Sequence, residues 1–242
     1  MKVTLTIVRY PKVFVPVALF SMAIFRLPLW LNRGVKFYKL MGCGRNGTFD
    51  KHPDWQQWAL MVAKEDDAIN TIQNTSTHEL IRSTYGNFIA GWFLIFRCET
   101  WTVVLEPAEG HGKWDGKEPF GKLNIKPIEN GPIAILTRAS IRLSKLKSFW
   151  ENVGGVAQQM DGAKGFVTSV GIGEMPYIKQ ATFSIWTSKE AMKAFAYEMK
   201  EHSAVIKKTR SENWYSEDMF VRFRIIKSSG TLKGNDPLKG IL

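Results

Sequence analysis

One order of elements occurs twice along this chain, and that repetition constrains the fold more than any single motif. Stretches rich in β-branched and aromatic residues read as strands at 3–9, 36–42, 55–63 and 100–106, with helical patterns at 16–31 and across 66–85. The second half repeats the order, with strands at 133–138, 165–171, 178–186 and 219–226 and helices at 143–153 and 188–208. Each half is then β-α-β-β-α-β, the ferredoxin-like arrangement. The expected fold is α+β, a tandem ferredoxin-like duplication of the dimeric α/β-barrel-like kind. Two such sheets face to face leave room for an apolar ligand between sheet and helices. The divisions expected are a first half at 1–108, a linker at 109–131 rich in Gly, Pro and Lys, a second half at 132–227, and a flexible tail at 228–242.

A chain of 242 residues can bury a substantial core, and its 15 Phe and 9 Trp suit an apolar pocket as well as a plain interior. The net charge of +11 favours anionic partners. The basic residues are dispersed, without a long basic run or zinc-finger spacing, so nucleic acid is not an expected partner. Two cysteines, Cys43 and Cys98, make no disulfide framework, and a reducing cytoplasm is the expected setting. Residues 13–25 are apolar except for Ser21, and Lys2, Arg9 and Lys12 precede them. No A-x-A cleavage site follows, and Arg26 interrupts the run before it reaches the length of a comfortable bilayer span. The reading is an apolar helix of a soluble fold that touches the membrane surface.

Four histidines are present. In 188–208, Ala191, Met192, Phe195, Ala196, Met199, His202 and Ile206 recur at three and four residues, so His202 shares the apolar helix face. Thr187 and Glu190 have the spacing of a capping box ahead of it. A histidine so placed is either a hydrogen-bonded core residue or a ligand offering a ring nitrogen to an iron cofactor. Spacing alone favours the core reading. His52 precedes Pro53 and reads as a loop residue, His111 lies in the linker, and His78 occupies a place in the first half like that of His202 in the second. No two have zinc-ligand spacing. The stretch GCGRNG at 42–47 follows a strand but opens no helix, so it is a strand connection that uses glycine dihedrals rather than a nucleotide loop. No G-x-S-x-G is present. Trp186, Trp214 and Tyr215 read as pocket-lining or core aromatics.

Three blocks together carry a family resemblance: FYKLMGCGRNGTF at 37–49 with PDWQQWAL at 53–60, WDGKEPF at 114–120, and HSAVIKKTRSENWYSEDMFVRF at 202–223. In order and spacing they resemble the spheroidene monooxygenase family of carotenoid biosynthesis, over nearly the whole chain. The resemblance implies an oxygen-dependent monooxygenase holding haem b, which introduces a keto group into an acyclic carotenoid by two hydroxylations at one carbon. It implies O2 as co-substrate and an external electron donor such as ferredoxin, because the chain has no flavin or nicotinamide motif. It also implies His202, in the third block, as axial ligand. His78, in the matching place of the first half, is the alternative, and Arg45, Arg210 and Trp214 are taken as candidates for the oxygen-handling side of the pocket. The rival readings are another haem enzyme of the same scaffold, such as a dehydratase, a cofactor-free monooxygenase, and a non-catalytic haem- or lipid-binding protein. A bilayer-dissolved substrate would give the apolar N-terminal helix and the positive charge a role in peripheral membrane contact.

Overall fold

The computed structural model describes residues 1–45, 47, 52–65, 75–124, 127–128, 130–198, 208–209 and 211–242, with 153–159 and 197–198 as backbone alone. Eight strands are present among them: β1 (Lys2–Arg9), β2 (Val35–Gly44), β3 (Pro53–Lys64), β4 (Glu99–Gly112), β5 (Ile133–Ile141), β6 (Phe166–Met175), β7 (Lys179–Trp186) and β8 (Tyr215–Gly230). They close into one antiparallel barrel in the order β1-β3-β2-β6-β7-β5-β8-β4. The first half contributes β4-β1-β3-β2 and the second β8-β5-β7-β6, the same order twice, joined where β4 pairs with β8 and β2 with β6.

Alternation decides which residues turn inward. On β8, Met219, Val221, Phe223 and Ile225 enter the barrel, where they pack with Leu5, Ile7, Trp101, Val103 and Phe183. The interior is therefore a packed side-chain core rather than a ligand cavity. Helices cover two patches of the outer face. α1 (Val15–Ile24), α2 (Arg26–Leu31), α3 (Thr77–Tyr85) and α4 (Asn87–Ile95) lie over the first half. α5 (Leu146–Met160) and α6 (Lys189–Lys193) lie over the second. Helix α3 starts on a capping box between Ser76 and Glu79. The helix expected at 188–208 begins with Ser188 capping Ala191 N–H, and at Ala194 it widens into a π-helix that runs to Glu198. The described chain resumes at Lys208.

Two expectations need revision. The segment read as a linker from residue 109 instead completes β4 as far as Gly112, paired with β8. Its glycines are there because the strands touch: at Gly112 (φ +95°) a Cβ would stand 2.2 Å from Asp218 O. The segment read as a flexible tail continues β8 to Gly230 and then folds onto the barrel, where Leu238 is buried.

These two revised segments are copies of one device. After β4, Trp114-Asp115-Gly116-Lys117 makes a two-residue hairpin with positive φ at Asp115 and Gly116, the conformation that Asp-Gly favours. After β8, Leu232-Lys233-Gly234-Asn235 makes the same turn, again with two positive φ angles. Each is followed by an acidic residue, Pro, and an apolar plug, Glu118-Pro119-Phe120 in one and Asp236-Pro237-Leu238 in the other. Phe120 and Leu238 both belong to the barrel core. Because β4 and β8 run antiparallel, the plugs close opposite ends. A carboxylate opposite each turn receives it: Glu217 accepts from Asp115 N–H at 2.9 Å and Gly116 N–H at 2.7 Å, and Glu99 accepts from Gly234 N–H at 2.5 Å and Thr231 Oγ1 at 2.8 Å.

Against the first plug, on β5, lies the only arginine that is fully buried among the described residues. Arg138 donates to Glu217, lies 3.4 Å from Asp115 and 3.6 Å from Glu174, and stacks over the Trp114 ring at 5.4 Å. Lys39 reaches Glu174 at 2.5 Å and also pairs with Asp115, and Trp114 Nε1 donates to Glu174 at 2.8 Å. Burial alone would push the Asp115 carboxyl up, but hydrogen bonds from Lys179 and Lys39 and their charges outweigh it and hold it at about 2. A folded-state value below the ordinary 3.8 stabilises the fold above pH 4 or so, and this contribution is lost as pH falls through about 2. Denaturant midpoints measured across this acid window should therefore fall, and Asp115→Asn should flatten the fall; an unchanged slope would show that the plug does not titrate.

Candidate functional site

With the barrel interior filled, space for a ligand lies outside it: clefts flank the two plugs, one lined by His111, Phe120 and Met219 and the other by Ile226 and Leu238, and the helix-covered faces of the two halves differ. In the first half, Thr6 sits mid-strand on the helix side of β1 and is fully buried. Its hydroxyl meets Thr102 at 2.9 Å and Tyr85 at 2.9 Å. Tyr10 is tied in the same way, to Ser21 at 3.1 Å and to Trp92 Nε1 at 3.1 Å. Burial pushes both phenols well above their ordinary range, so both stay neutral. This layer is full.

In the second half, Thr137 occupies the comparable mid-strand, helix-side place on β5, and it is exposed. It stands between two aromatic clusters. On one side are Ile133, Ile135, Trp186, Met192 and Phe195, under α6; on the other are Ile141, Phe149 and Trp214, under α5. Between them the sheet is floored by small side chains. Cross-strand pairing lines up His111, Phe220, Thr137, Thr182 and Gly171 on five successive strands. Thr182 is buried, and its hydroxyl has no hydrogen-bond partner among the described residues. A buried hydroxyl without a partner is unfavourable by roughly 1–3 kcal/mol, and a ligand or water bound there would relieve it. His111 stacks on Phe220 at the rim, with ring centroids 6.0 Å apart. Beside it, Glu109 takes Lys189 at 2.5 Å and Arg222 at 2.9 Å.

The structure places the sequence-predicted site residues unevenly. His202 and Arg210 lie outside the described residues. Trp214 is wholly buried in the α5 cluster, with its indole N–H on Glu212 at 2.9 Å and Lys208 Nζ 5.8 Å from its ring. Arg45 is exposed in the β2–β3 hairpin and donates to Pro53 O at 3.2 Å. The tip of that hairpin reaches the second half: a Cβ on Gly47 would lie 3.1 Å from Ser169 O on β6. His78 is on α3 in the first half, away from the open face. Sequence reasoning set aside His111 as a linker residue, yet pairing on β4 brings it to this face. It passed over Thr137 and Thr182 altogether, because a threonine in a strand carries no signal of its own.

The residues that carried the resemblance have structural work. Phe37 meets Trp114 at 5.5 Å and Phe120 at 6.1 Å, and Phe120 meets Phe223 at 5.4 Å. The three blocks thus converge on the first plug. Both cysteines are free, and burial pushes each thiol up to about 12, so neither is a ready nucleophile.

Among the described residues no group of three or more His, Cys, Asp and Glu is arranged to hold a metal ion directly. An iron carried by a flat apolar macrocycle needs less from the protein: one imidazole and a slot between apolar walls. The small floor, the aromatic walls and the unpaired Thr182 hydroxyl fit such a group.

No family model matches the chain. Curated relatives do. A spheroidene monooxygenase of Rhodobacter capsulatus is 32% identical over 224 residues, which cover 92% of this chain and 89% of that protein. The chain belongs to the spheroidene monooxygenase family. A relative from Rubrivivax gelatinosus is 35% identical over 204 residues, covering 83% of this chain and 73% of that one. The Cereibacter sphaeroides relative is 34% identical over 205 residues, 84% of this chain, and the match spans only 60% of that longer protein. Among solved structures, an aldoxime dehydratase crystallised with butyraldoxime superposes with a TM-score of 0.60 at 11% identity, covering all of this chain and 85% of that one. A second aldoxime dehydratase structure gives 0.58, also at 11% identity. These likenesses concern the fold.

The contrast between the two layers is open to a stability test. Thr6→Leu should lose roughly 1–3 kcal/mol through overpacking and a broken hydroxyl network. Thr137→Leu should stay within about 0.5 kcal/mol of the parent in the same urea titration. Equal losses would mean that both layers are equally filled.

Proposed function

We propose that the protein is a carotenoid monooxygenase, carried chiefly by its match to a family relative along 92% of its own length. The substrate class is an acyclic carotenoid, and the open helix-sheet layer of the second half is the site. The same strand order in both halves and the repeated hairpin plug support reading the chain as a tandem ferredoxin-like duplication in which only the second unit kept its layer open.

The cofactor we assign is haem b, with His202 as the axial ligand. When bound it would supply oxygen activation, using electrons from an external donor such as ferredoxin. The chain's own residues bind and shield. The aromatic walls of Trp186, Phe195 and Phe149 exclude water and hold an apolar chain by surface burial. The small floor of Thr137, Thr182 and Gly171 lets a flat group approach the sheet. Thr182 offers a hydroxyl to whatever polar edge reaches it. Arg45, Arg210 and Trp214 remain the candidates for the oxygen side. Each hydroxylation inserts one oxygen atom from O2 into a C–H bond and reduces the other to water with two electrons and two protons. A second at the same carbon gives a geminal diol, which loses water to the ketone.

Two experiments test this reading. Co-expression in cells that accumulate lycopene or spheroidene should convert the pigment to a keto derivative absorbing further to the red. An unchanged pigment profile with soluble protein present would contradict the substrate class. The purified protein should show a Soret band that His202→Ala abolishes. A colourless parent from haem-supplied cells would favour a cofactor-free or non-catalytic role. A coloured His202→Ala protein would move the ligand, with His111 on the second-half face tested ahead of His78.

A further inference from the structure

Helices α1, α2 and α4 expose far more apolar surface than a soluble helix layer usually does. In the 20-residue stretch Lys12–Leu31, with mean hydropathy 1.8 across its most apolar window, only 22% of that window is buried. Trp30 is 72% exposed and Phe20 68%, and on α4 Ile95 is 73% exposed. Leu27, Phe88 and Leu94 are exposed as well. A helix that is apolar all round is normally inside a protein or against lipid.

The exposed residues form one surface. Phe25 is fully buried between the helices and meets Phe88 at 6.5 Å, Trp92 at 5.6 Å and Phe93 at 5.7 Å. Phe14 meets Phe96 at 5.2 Å. The helix pair α1–α2 and helix α4 therefore lie side by side. Charge marks the same surface. Residues 11–34 and 86–98 contain no Asp or Glu, and they carry Lys12, Arg26, Arg33 and Arg97. All four are exposed, and none makes an ion pair among the described residues.

We propose that α1, α2 and α4 together form a docking surface for an anionic lipid bilayer, entering one leaflet without crossing it. Phe20, Leu27, Trp30 and Ile95 enter the acyl boundary, while Lys12, Arg26, Arg33 and Arg97 meet lipid phosphates. Crossing is opposed by the fold. The apolar stretch is broken into two helices at Phe25, and Ala18, Ser21, Phe25 and Leu29 are committed to the protein core. Ser21 is further held by Tyr10 at 3.1 Å. The surface covers the first half of the barrel, so it stands independently of the site assigned to the second half.

Sedimentation of the full chain with sucrose-loaded vesicles tests this. The protein should pellet with phosphatidylglycerol-containing vesicles at low salt and much less with pure phosphatidylcholine. The triple variant Phe20→Ser, Trp30→Ser, Ile95→Ser should weaken binding by about tenfold or more, with an unchanged melting temperature because all three are exposed. Arg26→Glu with Arg97→Glu should weaken the preference for anionic lipid by roughly tenfold or more. The parent should also be released from membranes by alkaline carbonate. Failure of the parent to pellet, equal pelleting of the triple variant, or resistance to carbonate would each overturn the proposal. So would a concentration-dependent dimer that the triple variant abolishes while vesicle binding is absent, which would assign the surface to a second copy.

Discussion

The pairing of β4 with β8 is the contact on which the rest depends. It runs from Trp101 opposite Gly230 to Gly112 opposite Met219, across the seam between the two halves. Without it the eight strands would be one open sheet, its halves joined only by the short β2–β6 contact and its β4 and β8 edges unpaired. With it, the inward side chains of both halves share one core and the barrel closes. The seam also sets the ends. Each of its strands overshoots its sheet into an Asp-Gly or Lys-Gly hairpin, and each hairpin drops an apolar plug into the barrel mouth. Glu217 and Glu99 then fasten the turns from the opposite strand.

Closure has a consequence for function. A barrel packed with Trp101, Trp114, Phe120, Phe183 and Phe223 has no room for a ligand, which moves any site outside it, and the helix-covered faces of the two halves differ. The first layer is locked by the Thr6, Thr102 and Tyr85 hydroxyls and by Tyr10 with Ser21. The second presents Thr137 and a Thr182 hydroxyl that has no partner among the described residues, between aromatic walls. One half has an exposed apolar outer face, and the other carries the candidate site.

Much of the architecture was legible in the residues. The strands stand out because β-branched and aromatic residues alternate, as in Val221, Phe223 and Ile225 against Arg222 and Arg224. Helix α4 was not legible, because Asn87–Ile95 is apolar on every side and so lacks a helical period. The end of β4 and the segment after β8 looked like loops because Gly, Lys and Pro dominate them. Those glycines are there for strand contact and positive φ, which composition does not distinguish from flexibility. The site was least legible. Its distinguishing features are the exposure of Thr137 and, among the described residues, a buried Thr182 hydroxyl without a partner, and neither leaves a mark in a sequence. The family blocks around Phe37 and Trp114 were recognisable, but they build the plug rather than the pocket.

The central claim, that the second layer alone is open, is most directly tested by thiol accessibility. A cysteine introduced as Thr137→Cys should react with a maleimide at a rate near that of an exposed thiol and be protected by added lycopene or haem. Thr6→Cys should react only on unfolding. Slow, ligand-independent labelling at 137, or equal rates at the two positions, would contradict the account.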